Sequence, residues 1–104
     1  MVVKTPVVGV IAEDALKFSQ EQGIAEYVER AMQAAREAFT DAERVTASLK
    51  RDPEYGDLFV DISAVVPFDL DAEEQHRDAC LAKWASFIPL DVHGKITLSS
   101  SWVK

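Results

Sequence analysis

Apolar side chains recur every three or four residues in one long stretch of the chain. The stretch runs from Ile24 to Ala42 and places charged and amide side chains on its opposite side. This spacing is typical of one face of an amphipathic helix. Ala, Glu and Arg, which favour helix, are frequent in the stretch and Gly is absent from it. Ser19, with Gln22 three residues later, predicts a capping box that opens this helix.

The chain before this helix gives two weaker signals. Residues 1–12 are rich in β-branched side chains, which fits either an extra strand or a loose arm. Ala15, Leu16 and Phe18 predict one or two turns of helix. The sequence therefore leaves open how residues 1–12 fold.

The period of the pattern changes to two after the long helix. Residues 44–50 alternate between apolar and polar side chains, and a second alternating run extends over residues 58–66. The segment between the runs contains Pro53 and Gly56, which predicts a β-hairpin. Pro67 ends the second strand because it has no N–H to donate to a sheet.

A second helix and a final strand follow the hairpin. Asp71, with Glu74 three residues later, predicts the start of the helix, and Pro89 predicts its end. Residues 95–103 alternate again and predict the strand. The apolar side of the helix is predicted to carry Arg77, Leu81, Trp84 and Ile88, with Cys80 and Phe87 beside them, and Trp102 is predicted to be a core residue of the strand.

The order α-β-β-α-β predicts an α+β two-layer sandwich in a single domain over residues 1–104. We expect a three-stranded, mainly antiparallel sheet with two helices on one face. The last strand pairs either with the first strand of the hairpin, in the order 2-1-3, or with the second strand in a mixed sheet. Strands buried on both faces would be continuously apolar, so the alternation favours the antiparallel order.

The same alternation predicts a sheet face that no helix covers. This face is rich in hydroxyl groups and is the candidate surface for contact with a protein partner or with a second copy of the chain. The alternative is a solvated face that binds nothing. The candidate binding residues are Phe59, Asp61, Ser63, Thr97 and Ser99.

The composition, 48% hydrophobic and 28% charged over 104 residues, is that of a small globular domain. The net charge is -7, and residues 52–78 alone hold nine acids against one base. Proteins that bind nucleic acid need clustered Lys and Arg, so no nucleic-acid partner is expected. The acidic segment either attracts a cationic partner or is a solvated turn followed by a favourably charged helix start.

The single cysteine, Cys80, excludes an intramolecular disulfide. Residues 1–10 lack the long apolar region and the cleavage site of a signal peptide, and no stretch of the chain predicts a membrane partner. These features predict a cytoplasmic protein.

His76 and Cys80 are four residues apart and therefore share one face of the second helix. With Glu73 and His93 they are candidate metal ligands, and a small enzyme or metal-binding protein that uses His76 and Cys80 is the alternative function. The other interpretation is that Cys80 packs as a small hydrophobic side chain. The four glycines are far apart and form no phosphate-binding loop, so no cofactor is expected. We favour a non-catalytic binding or regulatory module.

Two resemblances accompany this interpretation. The element order resembles type II K-homology RNA-binding domains, but residues 67–94 lack the Gly-x-x-Gly loop and the basic groove of that family. Residues 23–103, through the runs GIAEYVERAMQAAREAFTDAERVTASLKRDPEYGD, LFVDISAVV and KWASFIPLDVHGKITLSSSWV, resemble small uncharacterised bacterial α+β proteins. The second resemblance implies a bacterial origin and brings no established activity or functional residue.

Overall fold

A computed structural model describes residues 8–67 and 69–102 of the chain. These residues form four strands and three α-helices, so the predicted α+β class is confirmed. A 3-10 turn at His93–Lys95 precedes the last strand. The elements in chain order are β1 (Val8–Ile11), α1 (Glu13–Glu21), α2 (Ala25–Ala38), β2 (Arg44–Arg51), β3 (Leu58–Val66), α3 (Leu70–Ala85) and β4 (Ile96–Trp102).

The sheet is mixed, with the strands in the order β1-β2-β3-β4. Strands β2 and β3 form the predicted antiparallel hairpin, whereas β1 runs parallel to β2 and β4 runs parallel to β3. The predicted three-stranded, mainly antiparallel sheet with two helices is therefore wrong, whereas the alternative in which the last strand joins the second strand of the hairpin in a mixed sheet is observed. Strand β1 occupies the side of β2 that the prediction gave to the last strand, and α3 supplies the crossover that parallel neighbours require.

The extra strand comes from the N-terminal segment whose structure the sequence left open. Val8–Ile11 forms β1, and the amide of Ala12 donates to the carbonyl of Ala47 at 2.9 Å. Residues 1–7 of that segment lie outside the described residues. The short helical signal that follows is α1, a separate helix of nine residues.

Ser19 does not cap the long helix. It is fully buried within α1, where its hydroxyl donates to the carbonyl of Ala15 at 2.7 Å. Gly23, with φ of 70°, ends α1: its amide bonds the carbonyl of Gln20, and the amide of Ile24 bonds the carbonyl of Ser19. This pair of bonds is a Schellman motif, in which glycine adopts a left-handed backbone without steric cost. The predicted capping box was wrong because the local pattern fits a helix end as well as a start.

The N-cap of helix α3 lies two residues before the predicted cap. The side chain of Asp69, not Asp71, accepts from the amide of Ala72 at 3.1 Å. Cys80 and Trp84 are the buried residues of this helix, whereas Leu81, which was predicted to face inward, is 40% exposed. The centre of the inner face is therefore rotated away from Leu81.

The core lies between the sheet and the helices. Helix α2 contributes Val28, Ala31 and Ala35 to it, and the indole N–H of Trp84 crosses from α3 to the carbonyl of Ala31 at 3.1 Å. Trp102, predicted to be a core residue, is 48% exposed at the end of β4. The apolar residues that the described strands contribute to the core are Val45, Ala47, Val60, Ile62, Ala64, Val66, Ile96 and Leu98.

Candidate functional site

The strand positions between the buried core residues form the other face of the sheet, which we call the uncovered face. Apart from Asp61, its side chains are half-buried or exposed. Half of them are the small hydroxyl residues Ser and Thr. The residues of the uncovered face are Val10, Arg44, Thr46, Ser48, Lys50, Phe59, Asp61, Ser63, Val65, Thr97, Ser99 and Ser101.

All five predicted binding residues lie on the uncovered face, on two neighbouring strands. Phe59, Asp61 and Ser63 occupy alternate positions of β3. Thr97 of β4 lies opposite Asp61, and Ser99 lies opposite Ser63. This proximity follows from the parallel pairing of β3 with β4, since the order 2-1-3 would have placed β4 beside β2.

Asp61 is the centre of a polar cluster formed by three strands. One carboxylate oxygen accepts a hydrogen bond from the hydroxyl of Thr97 at 2.8 Å, and the other accepts from the hydroxyl of Ser99 at 2.8 Å. The ammonium nitrogen of Lys50, on β2, lies 3.1 Å from the second oxygen. We call Asp61, Lys50, Thr97 and Ser99 the Asp61 cluster.

Asp61 is only 4% exposed, although it lies on the uncovered face. A carboxylate that is removed from water needs hydrogen-bond donors or a paired charge, and the Asp61 cluster supplies both. Ser48 pairs with Asp61 across the hairpin. Because its side chain is small, it leaves room for the carboxylate to lie close to the backbone of the sheet. Asp61 therefore joins β2, β3 and β4 instead of projecting toward a partner.

The apolar side chains of this face lie toward its ends. Phe59 and Val65 are half-buried and stand six residues apart on β3, a separation of about 20 Å at the rise of a strand. Val10, on the edge strand β1, is 52% exposed. The face thus has a central region of small hydroxyl groups with larger apolar groups around it.

The uncovered face carries little net charge. Its described ionisable side chains are Arg44, Lys50 and Asp61, and the last two are paired with each other. The acids of residues 52–78 do not form one surface. Asp52 holds the hairpin turn by accepting from the amides of Glu54 and Tyr55, and the other acids divide between this turn, Asp61 and the Asp69–Asp78 region.

Two of the alternative metal ligands are accounted for by the fold, because Glu73 is hydrogen-bonded to β4 and Cys80 is buried in the core. Glu73 accepts from the hydroxyl of Ser100 and from the indole N–H of Trp102, the latter at 2.7 Å. The hydrogen bond from Ser100, followed by that from Trp102, lowers the pKa of Glu73 below its ordinary value. Burial raises the pKa of the Cys80 thiol to about 12, so the thiolate that a metal or a nucleophilic reaction requires is strongly disfavoured.

The two histidines of the alternative site point to different partners. The Nδ1 atom of His76 lies 3.2 Å from a carboxylate oxygen of Asp41, and its ring meets Phe39 edge-on. The Nε2 atom of His93 lies 3.0 Å from the carbonyl oxygen of Ile88. Within residues 8–67 and 69–102, no three His, Cys, Asp or Glu side chains are grouped so that they could hold a metal ion.

An open cavity of about 610 Å³ lies beside the β2–β3 turn, and no sequence pattern predicted it. Its lining residues come from α1, the β2–β3 turn and the segment before β4. They share no motif, so no spacing along the chain could have indicated it. The polar lining residues include two bases and two acids, namely Arg51, Lys95, Asp57 and Asp91.

Comparisons of the chain with protein-family models, with curated proteins and with solved structures found no match. No helix among the described residues is both long enough and apolar enough to cross a membrane.

Proposed function

We propose that this protein is a non-catalytic binding module whose uncovered face contacts a partner protein. The observation that supports the proposal is a four-stranded sheet with one face packed against helices and the other face lined by small hydroxyl groups. An antiparallel or mixed sheet can also expose one face to water without a ligand. The experiment below separates the two cases.

The charge distribution favours a protein as the partner. The centres of protein interfaces are depleted of charged residues, and the uncovered face has few charges although the chain has a net charge of -7. Its apolar groups, Phe59, Val65 and Val10, are spread over the width of a macromolecular contact. Such a spread suits a protein surface better than a small molecule, which binds in a concave pocket.

The test replaces apolar side chains at both ends of the face. The double variant Phe59→Lys with Val65→Lys adds two charges to the face and replaces no member of the Asp61 cluster. Because Phe59 lies opposite Lys50, one of the new charges falls beside that lysine, and the stability of the variant has to be measured. Tyr55→Lys is the matched control, because Tyr55 is 79% exposed in the hairpin turn and lies off the face. The unfolding transition of each variant is measured first, to establish that the sheet is intact.

Affinity capture from extract of the native cell then compares the wild type with both variants. We expect proteins that are captured by the wild type and by Tyr55→Lys to be lost with the double variant. Capture of the same proteins by a folded double variant would show that the uncovered face is bare surface. Asp61→Arg is unsuitable for this test, since it would place a second cation beside Lys50 in a buried position.

A further inference from the structure

We propose that two copies of this chain associate through the outer edge of β4, which extends the sheet across a twofold axis. The contact is made by the outer backbone edge of β4 and the helix beside it, and the side chains of Thr97, Ser99 and Ser101 border both this edge and the uncovered face. Because pairing of the edge needs no partner on the uncovered face, the inference does not depend on the proposed function. The occupant of the edge is a second copy of the same chain. Three features of the edge support this choice.

The first feature is an edge strand without the usual protection. No described strand lies on the outer side of β4. Natural edge strands are commonly blocked by charged side chains, proline or a bulge, because their backbone groups otherwise pair with another chain. Residues 96–102 contain no charge and no proline, and they pair with β3 in continuous register. The edge is therefore available to another strand.

The second feature is an apolar margin on the helix beside β4. His76, whose ring meets Phe39 at the end of α2, and Lys83, which lines a cleft with residues of α2, mark the side of α3 that faces α2. Glu73, which bonds β4, and the buried Trp84 lie about 20° apart and mark the inner side that faces the sheet. At 100° per residue, Leu70 and Leu81 lie within about 20° of each other and at least about 120° from His76. They therefore lie on the flank of α3 that faces away from α2, above the edge of the sheet.

The large apolar side chains of this margin are partly exposed to water. Leu70 is 59% exposed, Leu81 is 40% exposed and Trp102, at the end of β4, is 48% exposed. A second copy placed on the edge would cover all three. Its own Leu70, Leu81 and Trp102 would be covered in return, as a twofold interface requires.

The third feature is that the edge complements itself. Antiparallel pairing centred on Ser99 places Thr97 opposite Ser101 of the second copy on one face, and cross-strand Thr–Ser pairs are favourable. On the other face it places Ile96 opposite Trp102 of the second copy. The outer flank of α3 also carries a base, Arg77, and an exposed acid, Glu74. When the two copies are antiparallel, Arg77 of each copy can lie near Glu74 of the other, so the charges are complementary.

Mass measurement in solution tests the association directly. Light scattering coupled to size exclusion, at tens of micromolar protein, should give about twice 11.5 kDa for the wild type. Leu81→Lys combined with Ser101→Lys should shift the mass to that of one chain, whereas Tyr55→Lys should not. A wild-type mass of one chain would overturn the inference.

Cysteine crosslinking locates the contact. Ser99→Cys places a thiol at the proposed twofold axis, and Ser63→Cys places one on the same face but in the interior of the sheet. The native Cys80 is fully buried and should not crosslink in the folded protein. We expect an oxidised dimer band for Ser99→Cys only. A dimer that crosslinks through Ser63→Cys instead, or one unaffected by the double Lys variant, would place the contact on another surface and contradict the inference.

Discussion

Strand β4 is bound on each of its two faces by a carboxylate, and the two carboxylates lie in different surroundings. On the uncovered face, Asp61 accepts from Thr97 and Ser99; on the helix side, Glu73 accepts from Ser100 and Trp102. Asp61 is 4% exposed and has a lysine partner, whereas Glu73 is only partly buried. Each carboxylate accepts two hydrogen bonds from side chains of β4.

The difference between the two sites indicates how each contributes to the fold. Loss of a hydrogen bond to a charged group lowers the free energy of unfolding more when water cannot take the place of the lost partner. The group then stays desolvated and unsatisfied in the folded protein. Asp61 lies within the sheet and shares its oxygens with two neighbouring strands. Glu73 joins a helix to the end of a strand, where water has access. We therefore expect Asp61 to matter more for stability, and Glu73 to respond more to solution conditions.

The largest expected effect comes from removal of the buried carboxylate. Asp61→Ala leaves the hydroxyls of Thr97 and Ser99 without their acceptor and Lys50 without its partner. We expect a loss of about 2–3 kcal/mol in the free energy of unfolding, measured by urea denaturation. Lys50→Met is the control, since it leaves both hydroxyl bonds in place and should cost less. An equal cost for the two variants would mean that the ion pair, not the hydroxyl bonds, stabilises the cluster.

Removal of the helix-side carboxylate should cost less. Glu73→Ala breaks the bonds from Ser100 and Trp102, but water can reach these groups, so we expect a loss of about 1 kcal/mol. Glu74→Ala is the matched control, because Glu74 is an exposed glutamate on the next residue of the same helix. Urea denaturation of both variants provides the measurement. If the two variants lower the free energy of unfolding equally, the hydrogen bonds that Glu73 accepts from β4 do not stabilise the fold. The loss would then come only from the removal of a negative charge near the start of the helix.

Single hydroxyl deletions sharpen the comparison. Ser99→Ala removes one of the two hydroxyl donors to Asp61, and Ser100→Ala removes one of the two donors to Glu73. We expect a cost of about 1 kcal/mol for the first and roughly half of that for the second. If urea denaturation gives the same loss in the free energy of unfolding for both variants, the difference in exposure between Asp61 and Glu73 does not affect the strength of their hydrogen bonds.

The pH dependence should give the smallest effect, and its sign is set by Glu73. Its pKa is lowered in the folded state, so its contribution to stability is complete above the ordinary glutamate pKa of 4.5 and is lost as the pH falls through the folded value. The stability difference between wild type and Glu73→Gln should therefore shrink below pH 4.5. The measurement is urea denaturation of both proteins at a series of pH values. A difference that stays constant over this range would contradict a lowered pKa.

Periodicity predicted the main elements of the fold. The amphipathic spacing of α2 and the alternation of β2, β3 and β4 report which side of each element is buried, and those sides agree with the structure. Alternation does not report the direction in which strands pair. A parallel strand that is buried on one face alternates just as an antiparallel strand does, so the strand order 2-1-3 could not be distinguished from the observed order by that signal.

The candidate site was predictable only in part, for the same reason. The pattern placed Asp61, Thr97 and Ser99 on one face, but their contact depends on β4 lying beside β3. Asp61 is buried by residues of the neighbouring strands, so the residues next to it in the sequence could not predict its burial. Leu81 and Trp102 were misplaced because each occupies a core-like position in its period but lies at a margin of the layer.

The Asp61 cluster has a consequence for the chemistry that a partner would meet. Thr97 and Ser99 each direct the hydroxyl hydrogen inward to the carboxylate, so the lone pairs of both oxygens remain for the outside. At these two positions the surface therefore offers hydroxyl oxygens that accept hydrogen bonds. A backbone amide or an amine could bond to it, whereas a carbonyl or carboxylate oxygen would find no proton there. A single carboxylate beneath the surface thus sets the polarity of the groups above it.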